Sequence, residues 1–382
     1  MAAVLIAAMA AGSGPPAQRG HAGETLRVPE DYRTIQAAID AAPPGGVIDI
    51  APGRYRETLV VRRPVTLRGR RFDAAHERNN TTILDGGGGS VVTIPPGLLR
   101  GTTLVGLVVA NGHDGIAASS PFTVKHSYFT GNEDGIDYSR GAGGLCVDNL
   151  FVGQGDDALD FDHPVRDARI VGNRIFDTSD DGIEIRLHDD VIARTAELAI
   201  RGNEIAGSAE DGIQLIDYAD DTNRLIVARR NLLRDNAMAG IGMMPNGDTN
   251  ENYSAASVRE QVEVFNNTFL RNHVGISGGD AVVAVNNIFQ RHAVALKGVN
   301  GRSLAGYNLF AYDGVVAASS NADLSTSVLR PALLDANARL RAGSPAIDAG
   351  TARFKWAGHL VLDLEPSAYR GPRPDLGWYE RR

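Results

Sequence analysis

The sequence predicts an all-β fold, a right-handed parallel β-helix with an N-terminal capping helix, on three observations. From His113 onward a unit recurs in which Asn-x-[Ile/Leu/Phe] precedes Gly-Ile-x-Ile or a close variant. Inside the unit the spacing is constant: nine residues separate Asn149 from Ala158, Asn173 from Gly182, Asn203 from Gly212 and Asn231 from Gly240. Between units it drifts from 20 to 36 residues, so one side of each unit is fixed in length and the other takes insertions. Coils of ~20–30 residues, each laid on the one before, have those properties. A β-propeller would need ~40 residues and four strands per blade.

In chain order, residues 2–11 (AAVLIAAMAA) are small and apolar. They are too short to span a bilayer and fit the core of a secretory leader. With the Gly/Pro/Ser stretch that follows, residues 1–23 read as leader and linker, residues 24–342 as the β-helix, and residues 343–382 as a closing segment of the same domain. The run TIQAAIDAA (34–42) carries Ile35, Ala38, Ile39 and Ala42 at helical spacing, stopped by Pro43-Pro44-Gly45-Gly46. Short β-branched runs follow at 47–50, 58–61, 65–69, 81–86, 90–94 and 102–112, divided by Gly/Pro turns. In the repeats, Asn149, Asn173, Asn203, Asn231, Asn267, Asn287 and Asn308 are expected to stack as an internal amide ladder, with His126 in the preceding place.

Composition narrows the function. There are three lysines, the net charge is −8 and the pI is near 5.6, so no basic surface is available for nucleic acid. The single cysteine, Cys146, excludes an internal disulfide framework and reads as a small apolar strand residue. A secreted or periplasmic monomer with no membrane partner is the expectation.

Chemistry concentrates between Asn132 and Asp190. Acidic pairs precede the strand runs at Glu133-Asp134, Asp156-Asp157, Asp180-Asp181 and Glu210-Asp211. Alternation along each strand places Asp137, Asp160, Glu184, Gln214, Gly242 and Ser277 on one outward ladder. Asp162, Arg186, Ile216 and Met244 form a second ladder two residues on. With coils ~4.8 Å apart, so many carboxylates cannot all ionise without a cation or raised pKa values. An all-oxygen set of Asp134, Asp137, Asp156, Asp157, Asp160, Asp180, Asp181 and Glu184 suits Ca²⁺. Asp-Gly is also ordinary turn chemistry, which suffices for Asp114 and stands as an equal reading for Asp211. Loops at 163–169, 187–198, 217–224 and 245–261 all follow the acidic strand and would wall a groove suited to a polymer. Arg186 could bind a uronate carboxylate or accept a proton, and His188 could be a general acid or base or an exposed loop-edge residue. Asp162, Gln214 and Asp217 flank the column as substrate contacts.

The opening VPEDYRTIQAAIDAAPPGGVIDIAPGRYRETLVVRRPVTLRG and the tail GSPAIDAG…GPRPDLGWYE resemble the two ends of pectin-lyase-like β-helix proteins. The resemblance implies the fold, and two of its motifs imply chemistry. NEDGID followed by GDDAL resembles polygalacturonase-type glycoside hydrolases, where Asp134, Asp156 and Asp157 would be the acid/base set. The later histidine and Arg-x-Lys motifs of that family have no match here. Asp156-Asp157-Ala158-Leu159-Asp160 resembles the calcium motif of pectate-lyase-type enzymes, completed by Asp134 or Asp137, with an imperfect copy at Asp180–Glu184. The lysine base of those enzymes has no counterpart, and Arg186 is its substitute. The resemblance thus implies a secreted Ca²⁺-dependent polysaccharide lyase on a uronate-containing glycan, with Asp157, Asp181, Arg186 and His188 in catalysis, or a uronate C5-epimerase sharing its first step. The alternatives are a polygalacturonase-like hydrolase and a non-catalytic glycan-binding or cell-surface protein.

Overall fold

The computed structural model describes residues 25–98, 101–163, 165, 167–188, 196–218, 222, 224–245, 247–252 and 256–381. The expected leader and linker, and parts of the four expected loops, lie outside the described residues. Three parallel sheets of 12, 12 and 11 strands run the length of a solenoid. Each coil gives one strand to each. One coil runs Thr102–Val105, Val108–Ala110 and Asp114–Ala118, and the next runs Phe122–Lys125, Tyr128–Thr130 and Asp134–Tyr138. The first, second and third sheets are named here in that order.

The inward positions explain why these short strands stack. Ile116, Ile136, Leu159, Ile183, Ile213, Ile241 and Ile276 form one continuous apolar file inside the third sheet. Aromatic rings do the same between coils: Phe129 on Phe151 at 4.5 Å, Tyr138 on Phe161 at 4.3 Å, and Phe269, Phe289 and Phe310 at 4.7 and 5.0 Å. Cys146 lies inside this core.

The corner between the first and second sheets holds the amide ladder. Asn203 Oδ1 accepts from both the N–H and Nδ2 of Asn173 at 2.8 and 3.0 Å, and Asn203 Nδ2 donates to the Ile170 carbonyl at 2.9 Å. The pattern repeats through Asn231, Asn267, Asn287 and Asn308. The preceding ladder place belongs to Ser127, not His126: the Ser127 N–H donates to Asn149 Oδ1 at 3.0 Å. The next turn of that coil is one residue shorter, which displaces the nine-residue count. His126 instead takes the left-handed corner conformation (φ 51°), as Asp148 and Gly172 do in the following coils. A second amide ladder, not expected from sequence, occupies the corner between the second and third sheets. There Asn132 Nδ2 donates to Gln154 Oε1 at 3.2 Å, and Asn236 Nδ2 to Asn272 Oδ1 at 3.1 Å.

The helix Ile35–Ala41 begins at Thr34, whose Oγ1 accepts the Ala37 N–H, and it packs on the strands Thr25–Val28, Val47–Ile50 and Leu59–Val60. The C-terminal segment runs along the outside. Leu362 and Leu364 cover Phe265, Val283 and Val285, Leu376 covers Ile288 and Leu309, and Trp378 packs on Leu232 and Leu270. It lies on the first and second sheets and leaves the outer face of the third to the acidic column. Among the described residues no helix is long and apolar enough to cross a membrane.

Asn203→Ala should destabilise the protein by about 1–3 kcal/mol, because Asn173 loses its acceptor in a dry interior. Asn337→Ala, at an exposed turn, should stay within about 0.5 kcal/mol. Denaturant titration of both variants checks this, and equal costs would contradict a ladder role.

Candidate functional site

The third sheet places the acids in register. Ala117, Asp137, Asp160, Glu184, Gln214 and Gly242 are successive coil partners. The expected outward ladder is therefore real as geometry. It is not an open surface, however: Asp160 is 8% exposed, Glu184 2% and Gln214 0%. Close side-chain packing between coils leaves these outward groups little contact with solvent.

The turn column has a structural use that explains part of it. Asp134 Oδ1 accepts the Asp157 N–H at 3.1 Å, Asp157 Oδ1 the Asp181 N–H at 2.8 Å, and Asp181 Oδ1 the Asp211 N–H at 2.6 Å. Asp211 Oδ1 accepts the Ala239 N–H at 2.5 Å. One oxygen of each carboxylate thus staples the next coil, while Oδ2 of Asp181 and of Asp211 is buried with no hydrogen-bond partner. Turn chemistry accounts for half of each side chain. It also does not account for the acids beside them.

Three groups bring carboxylate oxygens within 4.8 Å of one another: Asp156, Asp157 and Asp180; Asp157, Asp160 and Glu184; and Asp180, Asp181 and Glu210. Of the expected metal ligands, Asp134 and Asp137 stand outside these trios, and Glu210 joins them. Burial pushes Asp134 up to about 7, with Asp156 and Asp114 adding repulsion, and Asp180 up to about 7, with Glu210 and Asp156. Asp160 is pushed up to about 9 by burial and then Glu184, and Asp137 up to about 6 by burial and then Asp162. Burial also raises Asp157, Asp181 and Glu184.

The cation of the site is Arg186, whose Nε lies 2.6 Å from Glu184 and 3.3 Å from Asp162. Those acids raise its pKa despite burial, so it stays protonated and is a poor proton acceptor. Arg224 holds the end of that strand, donating to the carbonyls of Arg186 and His188 at 2.7 and 3.2 Å. His188 is half-buried, and burial followed by His163 and Arg186 lowers its pKa, leaving it neutral near pH 7. Its ring stacks on Tyr218 with centroids 3.8 Å apart, and His163 stands 5.5 Å away on the other side. Asp217 sits at the base of the next loop, its N–H donating to the Met244 carbonyl and its carbonyl accepting the Gly247 N–H. Sequence reasoning passed over Tyr218, although an aromatic ring follows the acidic strand in three successive coils. It also passed over Glu251, an acid in a polar loop that carries no periodic signal.

These shifts fix a pH dependence. Raised carboxyls keep protons in the folded chain that the unfolded chain, titrating near ~4, has released. Stability of the metal-stripped protein should therefore fall as pH rises from about 4 through the folded values of about 7 for Asp134 and Asp180 and about 9 for Asp160. Calcium should restore Tm more at about pH 8.5 than at about pH 5. Scanning calorimetry in chelator and in calcium checks both, and a Tm that rose over that interval would contradict the burial of the column.

No curated protein sequence matches the chain. Among solved structures it is similar to the catalytic unit of an α-1,3-glucanase from Streptomyces thermodiastaticus, at 16% identity over 81% of this chain and 71% of that one, with a TM-score of 0.49. It is also similar to pectate lyase Pel9A, at 15% identity over 91% of each chain and a TM-score of 0.43. The A-module of a mannuronan C-5 epimerase from Azotobacter vinelandii is 15% identical over 78% of this chain and 94% of its own, with a TM-score of 0.43. At such identities the likeness is one of fold. Residues 65–295, more than half of the sequence, match the family described as periplasmic copper-binding protein (NosD). With its parallel sheets and stacked coils the chain is a right-handed parallel β-helix, and by that match it belongs to the NosD family.

Proposed function

We propose that this chain is a periplasmic or secreted polysaccharide-active β-helix protein whose acidic face binds a hard divalent cation and, through it, an acidic glycan for β-elimination. The observation that carries this is the buried trio Asp157, Asp160 and Glu184. Three carboxylates gathered there face one guanidinium, Arg186, and a buried excess of negative charge calls for a cation.

Calcium fits the donors, which are flexible carboxylate oxygens on several coils. Copper, in the family's name, does not fit them. Its preferred soft and imidazole ligands are absent from the trio, Cys146 is sealed in the core beside Asn149 and Asn173, and His188 is stacked between His163 and Tyr218.

Bound calcium would supply charge that acidifies the proton next to a uronate carboxylate. In elimination the C5 proton passes to a base, the C4–O bond breaks as the C4=C5 bond forms, and the departing oxygen takes up a proton. His188, neutral near pH 7, is the base we assign, in place of Arg186. Tyr218, its pKa raised by burial, keeps its proton and stands against His188 as the acid. Arg186, held by Glu184 and Asp162, orients the anionic substrate. Asp162 and Asp217, both half-buried, stay assigned to the substrate side, whereas Gln214, 0% exposed, is sealed from a polymer and is withdrawn as a substrate contact. An epimerase would share the first proton transfer and return the proton to the opposite face.

A second reading has its own support. The Oδ1 staples from Asp134 to Asp211 would stabilise a glycan-binding solenoid without turnover. Asp157→Asn separates the two. An amide Oδ1 can still accept the Asp181 N–H, so the staple survives while the charge is lost. Turnover of uronate polymers should fall at least ~10²-fold in Asp157→Asn, and ~10²–10⁴-fold in His188→Ala. Mass spectrometry of the products should show fragments lighter by one water, abolished by chelator. Hydrolytic fragments that persist in chelator would move the reaction to Asp134, Asp156 and Asp157, and full activity of Asp157→Asn would sink the site.

A further inference from the structure

Past Glu184 the outer ladder continues through Gln214 and Gly242 to Ser277, and its character changes. Gly242 lacks the side chain that every neighbouring coil has, and the space is taken. A methyl group placed there would collide with Oδ2 of Asp211 and Oε2 of Glu251. Asp211 reaches over from the turn before its strand, with Oδ1 spent on the Ala239 N–H. Glu251 comes down from the loop Gly247–Asn252, whose backbone is tied to the same turn by the Glu251 N–H donating to Glu210 Oε2 at 2.8 Å. Two carboxylates therefore meet above one glycine, in a place where Asp211 is 0% exposed.

The groups on either side point to a ligand. Gln214, in register with Gly242 on the preceding coil, is 0% exposed, and neither its Oε1 nor its Nε2 has a hydrogen-bond partner. Ser277, next to Ile276 on the following coil, is fully buried with its Oγ unpartnered. Leaving a buried amide and hydroxyl unsatisfied is costly. The second ladder is apolar here, with Ile216 and Met244 fully buried, so this stretch of the column is dry. Two carboxylates, an amide oxygen and a hydroxyl make an all-oxygen set whose negative charge a hard divalent ion would balance.

We propose that Asp211, Glu251, Gln214 and Ser277 form a second divalent-cation site, of calcium type, separate from the Asp157–Asp160–Glu184 centre, which clamps the loop Gly247–Asn252 onto the solenoid. The clamp bears on the catalytic face without depending on turnover. Gly247 lies against the Tyr218 ring, and Tyr218 carries the stack on His188.

Calcium titration of the metal-stripped full-length chain tests it, read by calorimetry and by hydrogen exchange of the segment 247–252. Wild type should bind calcium at both sites and slow exchange in that segment. Glu251→Gln, which keeps shape and removes charge, should lose one binding event, or weaken it ~100-fold, and lose the exchange protection. Asp160→Asn should lose the other event and keep the protection. Gly242→Ala, which fills the space, should behave as Glu251→Gln. Unchanged calcium stoichiometry and loop protection in Glu251→Gln would overturn the proposal. So would a Glu251→Gln protein more stable than wild type at equal calcium binding, because the two carboxyls would then share a proton and hold no ion.

Discussion

One kind of bond sets this architecture: a side-chain oxygen of one coil accepting the backbone N–H of a neighbouring coil. Asn231 does this for Asn203 at the corner between the first and second sheets, and Asn236 for Ser208 and Asp181 for Asp211 at the corner between the second and third. A solenoid has no layer of helices to bury its corners, so each turn must satisfy its own donors without water. The side chains that do so repeat once per coil. They lock the register of all three sheets, and a slip of one residue would break every staple at once.

That constraint shapes the chemistry. An aspartate stapling by Oδ1 brings a second oxygen and a charge that the staple does not need. Stacked four coils deep, these extra oxygens lie beside Asp160, Glu184 and Glu210 and form a buried acidic seam. Repulsion and desolvation raise the pKa values along it, and the same forces would favour a bound cation. The structural staples and the proposed binding site therefore share the same side chains. Loop insertions occur at the corner after the third sheet, away from the ladders, so Tyr218 and Glu251 can be brought to the seam without disturbing the stacking.

The outer ladder shows how position and environment separate. Asp160, Glu184 and Gln214 are outward by strand alternation, yet they are nearly as dry as the core. Arg186 shows the same lesson from the other side. As a lone cation it could be pictured as a base, but the acids around it hold its proton. His188, whose role the sequence left open, acquires a neutral ring from partial burial and the cations near it.

Periodicity by itself determined the solenoid, the Asn149-to-Asn308 ladder, the inward isoleucine file and the coil partners of Asp137, Asp160 and Glu184. Each of these depends only on residue spacing along a regular backbone, which the sequence carries directly. The placement of Ser127, the second amide ladder, the burial of the outward acids and the meeting of Asp211 with Glu251 were decided by the tertiary structure. These depend on turn lengths and on loops folding back across coils. The loop residue Glu251 stands 40 positions from Asp211 and shares no period with it, so its contact exists only once the chain is folded.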